Sequence, residues 1–321
     1  MLPKGLRQFY QRVTSSGPRP QSALAAKFDS VAVMEKARAA QKALFDDLNY
    51  PNKKQYLAFP SYTCMSSFAE QRGLKRILEI GSGLSTAVWA RFAQQNDASI
   101  CSIDGNLTRT RMFIRGTPHE AMVSKHVELI EGVSIHSDEF IDFYTGESQT
   151  SYGGVQVAAL RDQINVFQSQ NCSIKRRHKV TRVAGHRGWS ARDLMTDESS
   201  LSLPRRLLDL FSSNGNFDNE IAFLRDAESR GVAGVIADLA EKESSWDLIF
   251  FDSGELASMI EWTKLKGNIA VGGFAAFHDI YFPKSMKNII PCAAIMADPD
   301  WEVVFCDDST KQGILIAERL R

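Results

Sequence analysis

KRILEIGSGLSTAVWARFAQQNDASICSIDGN, residues 75–106, decides the fold. Arg76-Ile77-Leu78-Glu79-Ile80 is a short, mostly apolar run, the pattern of a strand buried on both faces. Gly81-Ser82-Gly83 turns the chain without Cβ clashes and lets a ligand approach the backbone. Ser85 and Thr86 stand where a helix starts, and residues 87–92 continue it. A second strand, residues 99–103, ends in an acid, Asp104.

Strand, glycine turn, helix and acid-tipped strand together suit a nucleoside. The turn admits the ligand's polar end near a helix N-terminus, and the acid accepts ribose hydroxyl hydrogens. Dinucleotides favour G-x-G-x-x-G, because pyrophosphate needs close backbone approach and close helix packing. Here the sixth position is Thr86. Glu79, two residues before the first glycine, can hold a cation or a bound water. S-adenosylmethionine carries an ammonium and a sulfonium and no phosphate, so an acid is welcome there.

Glu79-x-Gly81-x-Gly83-x-x-Thr86 followed by Asp104 resembles motif I and the acidic loop of the class I S-adenosylmethionine-dependent methyltransferases. The resemblance implies an α/β, Rossmann-like fold: a seven-stranded, mostly parallel sheet with an antiparallel last strand. It also implies S-adenosylmethionine as cofactor. Its cofactor-binding positions are Glu79, Gly81, Ser82, Gly83, Thr86, Asp104, Gly105, Asn106, Gly132, Val133, Asp252 and Ser253. The family often has an acid after the third strand, to contact the adenine amino group, and this chain has Val133 there.

The chain has 321 residues, enough for one large domain or one domain with a sizeable insertion. Hydrophobic content of 44%, charged content of 24% and zero net charge are ordinary for a globular protein and point to neither nucleic acid nor a membrane surface. No apolar run approaches the ~20 residues a spanning helix needs. Five scattered cysteines without a C-x-x-C pattern read as reduced thiols in a cytoplasmic protein. The first 28 residues hold five basic residues and no acid. With Leu2, Leu6 and Phe9 interleaved, they read as a mobile basic arm, residues 1–20, in preference to a targeting segment or a membrane-surface helix.

Residues 21–73 read as an N-terminal helical segment, with one helix over 22–48 and another over 65–71. In the family such helices often cover cofactor or substrate, which makes Ser61 and Tyr62 substrate-side candidates. Residues 74–137 and 217–321 form the expected cofactor-binding domain. A crossover helix spans 108–124, interrupted at Gly116-Thr117-Pro118, and a third strand spans 126–131. The fourth strand is clear only at Trp246 to Phe251, followed by Asp252-Ser253. A structureless connection from 135 to 245 is too long for a compact domain, so residues 138–216 read as an insertion with its own elements and a lid-like role. Within it, 155–168 and 203–210 look helical and 179–184 strand-like. Its basic run, Lys175-Arg176-Arg177-His178-Lys179, suits an anionic group or an RNA backbone, but a solvated loop balanced by Asp193, Asp197 and Glu198 is preferred. Residues 217–242 read as the fourth crossover. Beyond a fifth strand ending at His278-Asp279, residues 301–305 and 313–317 read as an antiparallel closing pair, because the connection between them is short. That tail argues against a nicotinamide enzyme, whose second half normally repeats parallel units.

Ligands of open α/β sheets bind beyond the carboxyl ends of the strands, where Asp252, His278 and Asp279 gather. Two mechanisms compete. In one, Asp252, His278 and Asp279 bind a divalent cation, magnesium or manganese, that acidifies a substrate hydroxyl. Some small-molecule O-methyltransferases resemble this arrangement, with an acid ending the fourth strand and a pair of ligands ending the fifth. In the other, His278 is the general base and Asp279 or Asp252 orients it. His136 is a spare candidate. The expected function is methyl transfer to a small-molecule hydroxyl. The alternatives are a nicotinamide-dependent oxidoreductase and a non-catalytic methyltransferase-like protein that binds a partner through its insertion. A homodimer is the general expectation for small-molecule enzymes, and the sequence leaves it open.

Overall fold

The computed structural model describes residues 37, 39–40, 42–44, 46, 61–145, 151–152, 155–156, 216–232, 234–241, 245–254, 256–280, 287–288, 291–292, 295, 298–307 and 314–321. Residues 1–36, 47–60, the basic run at 175–179 and most of the 138–216 insertion lie outside them.

Seven apolar runs become seven strands of one sheet. They are β1 (Arg76–Ile80), β2 (Ser99–Asp104), β3 (Val127–Glu131), β4 (Trp246–Phe251), β5 (Ile269–His278), β6 (Trp301–Asp307) and β7 (Ile314–Arg319). Their order across the sheet is β3-β2-β1-β4-β5-β7-β6. β3, β2, β1, β4 and β5 pair in parallel, and β7 is antiparallel to both β5 and β6. This is the Rossmann-like, mostly parallel sheet with an antiparallel closing hairpin that the resemblance implies.

Alternate strand residues enter two separate cores, one on each face. Leu78, Ile80, Ile103, Ile249, Phe251 and Phe277 point to one. Ile77, Ile100, Leu248, Phe250, Phe274 and Ile316 point to the other. Helices α5 (Ser137–Thr145), α6 (Asn216–Ser229), α7 (Ile236–Glu241) and α8 (Ala257–Leu265) cover the first face. Helices α1 (Ser61–Arg72), α2 (Leu84–Asn96), α3 (Leu107–Ile114) and α4 (Pro118–His126) cover the second. The described positions between 37 and 46 are helical, and Ala37 accepts a hydrogen bond from Thr63 at 2.7 Å.

The interruption expected at 116–118 divides the 108–124 helix in two, because Thr117 caps a new N-terminus through the His119 N–H with Pro118 behind it. Two expectations change. The crossover over 217–242 is also two helices. Between them the chain returns to the end of β3, where Val235 N–H donates to Val133 at 3.0 Å. Val155–Gln156, expected to open a helix, is a short strand antiparallel to Ser151–Tyr152. Residues 137–143 of α5 belong to the main core, with Phe140 fully buried in it.

Phe277 is stacked on Phe251 at 4.8 Å and meets the edge of Trp262 at 5.6 Å. Phe277→Ala is therefore expected to destabilise the fold by about 3–5 kcal/mol, read as a shift of the urea midpoint without a change in slope.

Candidate active site

The sheet order reverses between β1 and β4, so the crossovers leaving these strands diverge and open a crevice at their carboxyl ends. A cavity of about 680 Å³ lies there.

Its floor is the glycine turn. Gly81 has φ +96°, and a Cβ on it would lie 2.3 Å from the Asp252 carbonyl oxygen. Only glycine allows β1 and β4 to end this close together. The turn's own donors are spent inside the protein. Gly81 and Ser82 N–H both donate to the Ile103 carbonyl, at 2.9 and 3.2 Å. Gly83 N–H donates to Thr86 Oγ1 at 2.9 Å.

Glu79 and Thr86 stand apart from the other expected cofactor positions. Neither lines the cavity. Both are fully buried beneath it: Thr86 Oγ1 donates to Glu79 Oε2 at 2.7 Å, and Ser102 Oγ donates to the same oxygen at 2.5 Å. The motif acid thus locks the turn, through Thr86, to β1 and β2. Burial pushes its carboxyl up to about 7 against the pull of these hydroxyls.

The other ten cofactor positions inferred from the resemblance all line the cavity: Gly81, Ser82, Gly83, Asp104, Gly105, Asn106, Gly132, Val133, Asp252 and Ser253. Asp104 accepts from the Asn106 N–H at 2.7 Å, and Asn106 in turn caps α3 through the Thr108 N–H at 3.1 Å. Burial pushes Asp104 up to about 6, opposed by the Asn106 N–H and by Arg109. Val133 and Phe223 pack against Gly105, where an added Cβ would lie 3.2 Å from the valine and 2.9 Å from the ring.

At the tip of β4 the Asp252 carboxylate collects three donors. Lys287 Nζ lies 2.6 Å and His278 Nδ1 3.1 Å from Oδ1, while Tyr62 OH donates to Oδ2 at 3.2 Å. Burial opposes the charge, yet Lys287 and His278 hold the carboxyl down at about 2. Asp279 follows in a left-handed conformation, φ 58°, with Oδ2 3.6 Å from Lys287 Nζ and 3.7 Å from His278 Nδ1. Tyr62, Asp252, Asp279 and Lys287 line the cavity, but His278 does not. Its ring lies against Tyr62 at 4.9 Å and is 1% exposed. Burial works against its imidazolium, but Asp279 and Asp252 outweigh it and raise the pKa. His278 is thus paired with two carboxylates and set behind Asp252, away from the cavity lining.

Several lining residues escaped the sequence reading. Helix α6 contributes Asn219, Glu220 and Phe223. Glu220 accepts from the Leu256 and Ala257 N–H groups at 2.9 and 3.4 Å, at the N-terminus of α8. Gly254 makes room for it, since a Cβ there would lie 1.7 Å from Glu220 Oε1. Lys287 had no sequence signal, since it lies in the connection after the fifth strand, where no motif marks it. The wholly buried Glu261 on α8 accepts from Ser253 at 2.5 Å. His136 lies elsewhere, beside Glu228 at 3.5 Å.

No protein-family model matches the chain, and no curated protein does. Among solved structures, it is similar to an O-methyltransferase from Bacillus cereus in complex with SAH, at 12% identity and TM-score 0.36 over 98% of this chain and 97% of that one. It is also similar to the O-methyltransferase TomG from Streptomyces achromogenes, involved in tomaymycin synthesis and in complex with SAM. That match has 12% identity and TM-score 0.39 over 94% of this chain and 97% of that one. Cofactor-bound Rv0187 from MTB matches at 12% identity and TM-score 0.41 over 95% of this chain and 99% of that one. Likeness at this level carries no argument, and the fold assignment rests on the strand order itself.

Glu79 binds a proton in the folded state up to about pH 7, but only to about 4.5 when unfolded. Between these values the native state holds more protons, so this group makes stability fall as pH rises from about 4.5 to 7. Glu79→Gln keeps an acceptor for Ser102 and Thr86 and lacks this penalty. Urea unfolding at pH 5 and pH 8 is expected to show the variant gaining on the order of 1–3 kcal/mol on the wild type between the two. A constant difference would show that Glu79 does not titrate in this window.

Proposed function

We propose that this chain is an S-adenosylmethionine-dependent methyltransferase acting on a hydroxyl group of a small molecule. The observation that carries the reading is the charge balance of the cavity. Four carboxylates line it, Asp104, Glu220, Asp252 and Asp279, against two basic side chains, Arg109 and Lys287. That lining disfavours a pyrophosphate and favours a ligand bearing an ammonium and a sulfonium. The spent N–H groups of the glycine turn point the same way, since a dinucleotide site offers such groups to its phosphates.

In this reading Asp104 accepts the ribose hydroxyls, held in place by Asn106 and Arg109. Val133 and Phe223 supply apolar surface for the adenine, in place of the acid the family often has. When bound, S-adenosylmethionine supplies an electrophilic methyl group: its C–S bond breaks with the electron pair left on sulfur as the new C–O bond forms. Asp279 accepts the acceptor hydroxyl's proton. It lines the cavity and is less committed to donors than Asp252. Tyr62 orients the acceptor from α1. A lid over the acceptor is assigned to the part of the insertion that follows α5, and a reducing, cytoplasmic setting to the buried thiols Cys64, Cys101 and Cys292. Among the described residues, no helix is long and apolar enough to cross a membrane.

Isothermal titration with S-adenosylmethionine and, separately, with NAD tests the assignment. Binding of the first and not the second is expected, and the reverse overturns the reading. Asp104→Asn is expected to weaken S-adenosylmethionine binding about 10- to 100-fold, the worth of a charge-assisted hydrogen-bond pair.

Asp104 must be ionised to accept from both ribose hydroxyls, and its carboxyl titrates at about 6. Affinity is therefore expected to be flat above that pH and to fall about tenfold per unit below it. Titrations from pH 5 to 8 check this, and an affinity independent of pH would remove Asp104 from the ligand.

A further inference from the structure

We propose that the ammonium group of Lys287 fills the cation position defined by the strand-tip carboxylates of Asp252 and Asp279, so that acceptor activation at this site uses no divalent metal. Asp252, His278 and Asp279 present ligand atoms within 4.8 Å of one another, a spacing that fits a metal shell. The donor set does not fit an ion for three reasons.

The place is taken. Lys287 Nζ lies 2.6 Å from Asp252 Oδ1 and 3.6 Å from Asp279 Oδ2, between the two carboxylates. A divalent ion contacting Asp252 Oδ1 would lie at about 2.0–2.6 Å from that oxygen, against the ammonium, and like charges at that range repel strongly. Nδ1, the imidazole nitrogen that faces the carboxylates, offers no lone pair to an ion between them. Nδ1 faces Asp252 Oδ1 at 3.1 Å, and an ionised carboxylate only accepts, so Nδ1 carries the hydrogen. A metal-bound nitrogen must be bare. Asp252 also accepts at both oxygens already, Oδ2 from Tyr62.

The lysine is fixed where it stands. Its carbonyl accepts from Ser258 Oγ on α8 at 2.6 Å. Its neighbour Asn288 donates through Nδ2 to the His278 carbonyl and, at 3.4 Å, to that of Phe251, tying the segment to the tips of β5 and β4. The Lys287 side chain is 8% exposed and lines the cavity.

A cation there does electrostatically what a metal would do. It stabilises negative charge on the acceptor oxygen as the O–H bond breaks, its proton passes to Asp279 and the methyl group arrives. This catalytic half rests on the methyltransferase reading, whereas the exclusion of a metal does not.

Manganese titration followed by electron paramagnetic resonance, on the full chain without cofactor, tests the exclusion. The wild type and Lys287→Arg are expected to leave the free-ion spectrum unattenuated. Lys287→Met removes the charge and keeps the bulk of the stem, and Lys287→Ala opens the position further. In either variant, manganese affinity is expected to rise roughly tenfold or more, through loss of like-charge repulsion. The gain should disappear when Asp252→Asn is added. Stoichiometric manganese binding by the wild type that is lost in Asp252→Asn overturns the proposal. So does a folded Lys287→Met protein, with native near-ultraviolet dichroism, that still leaves manganese free. Both readouts are independent of S-adenosylmethionine titration, so failure here is separable from failure of the proposed function.

Discussion

A carboxylate nearly sealed from water must be matched by donors, and at the centre of this sheet that carboxylate is Asp252. Its side chain is 10% exposed. Its backbone N–H continues the ladder by donating to Ile80 at 2.9 Å, and its carbonyl presses on Gly81. Its side chain then draws in Tyr62 from α1, His278 from β5 and Lys287 from the chain beyond β5. Three separate parts of the chain thus converge because one charge must be neutralised. The convergence defines the inner end of the cavity and fixes which of its groups carry charge.

The chain resolves its other central buried acid in the opposite way. Among the described residues, Glu79 has hydroxyl partners, those of Ser102, Ser85 and Thr86, and burial favours its neutral form. Glu79 is on β1, opposite Phe250 in the ladder, and Asp252 directly follows the adjacent parallel strand β4, so each raises the cost of ionising the other. Keeping one neutral and one paired limits that repulsion. It also separates their work: the neutral acid fixes the glycine turn from below, while the charged one faces the ligand side.

Much of this was legible in the sequence. Apolar runs of strand length, a G-x-G turn and an acid at the end of the next strand are local signals, and each sits where expected. The short connection between β6 and β7 gave the antiparallel tail. Positions spaced by a motif were found, but their roles were not. Glu79 and Thr86 match the motif at the right spacing, yet which way a side chain points at a strand end depends on burial from both faces. For His278, likewise, the chemistry is visible in the sequence and the enclosure by Tyr62 and Phe250 is not. Lys287, Glu220 and Phe223 were missed because they reach the cavity from segments without a motif. Their arrival depends on how the crossovers pack, and periodicity does not encode that.

The same packing decides what charge the cavity prefers. A helix N-terminus and a glycine turn are the usual places where an α/β sheet receives an anion. Here α8 has its N-terminal N–H groups occupied by Glu220, from α6. The N–H groups of the turn after β1 are occupied by Ile103 and Thr86. Helix α6 is itself secured to the rim, since Arg230 donates to the Gly105 carbonyl at 3.0 Å and pairs with Glu131 at 3.4 Å. The protein has thus filled two of its own anion sites with internal acceptors and left Asp104 and Asp279 facing the cavity. An architecture often used to hold phosphate is thereby biased toward a cation, and the bias comes from side chains on α6, on β2 and just after β5 rather than from the fold.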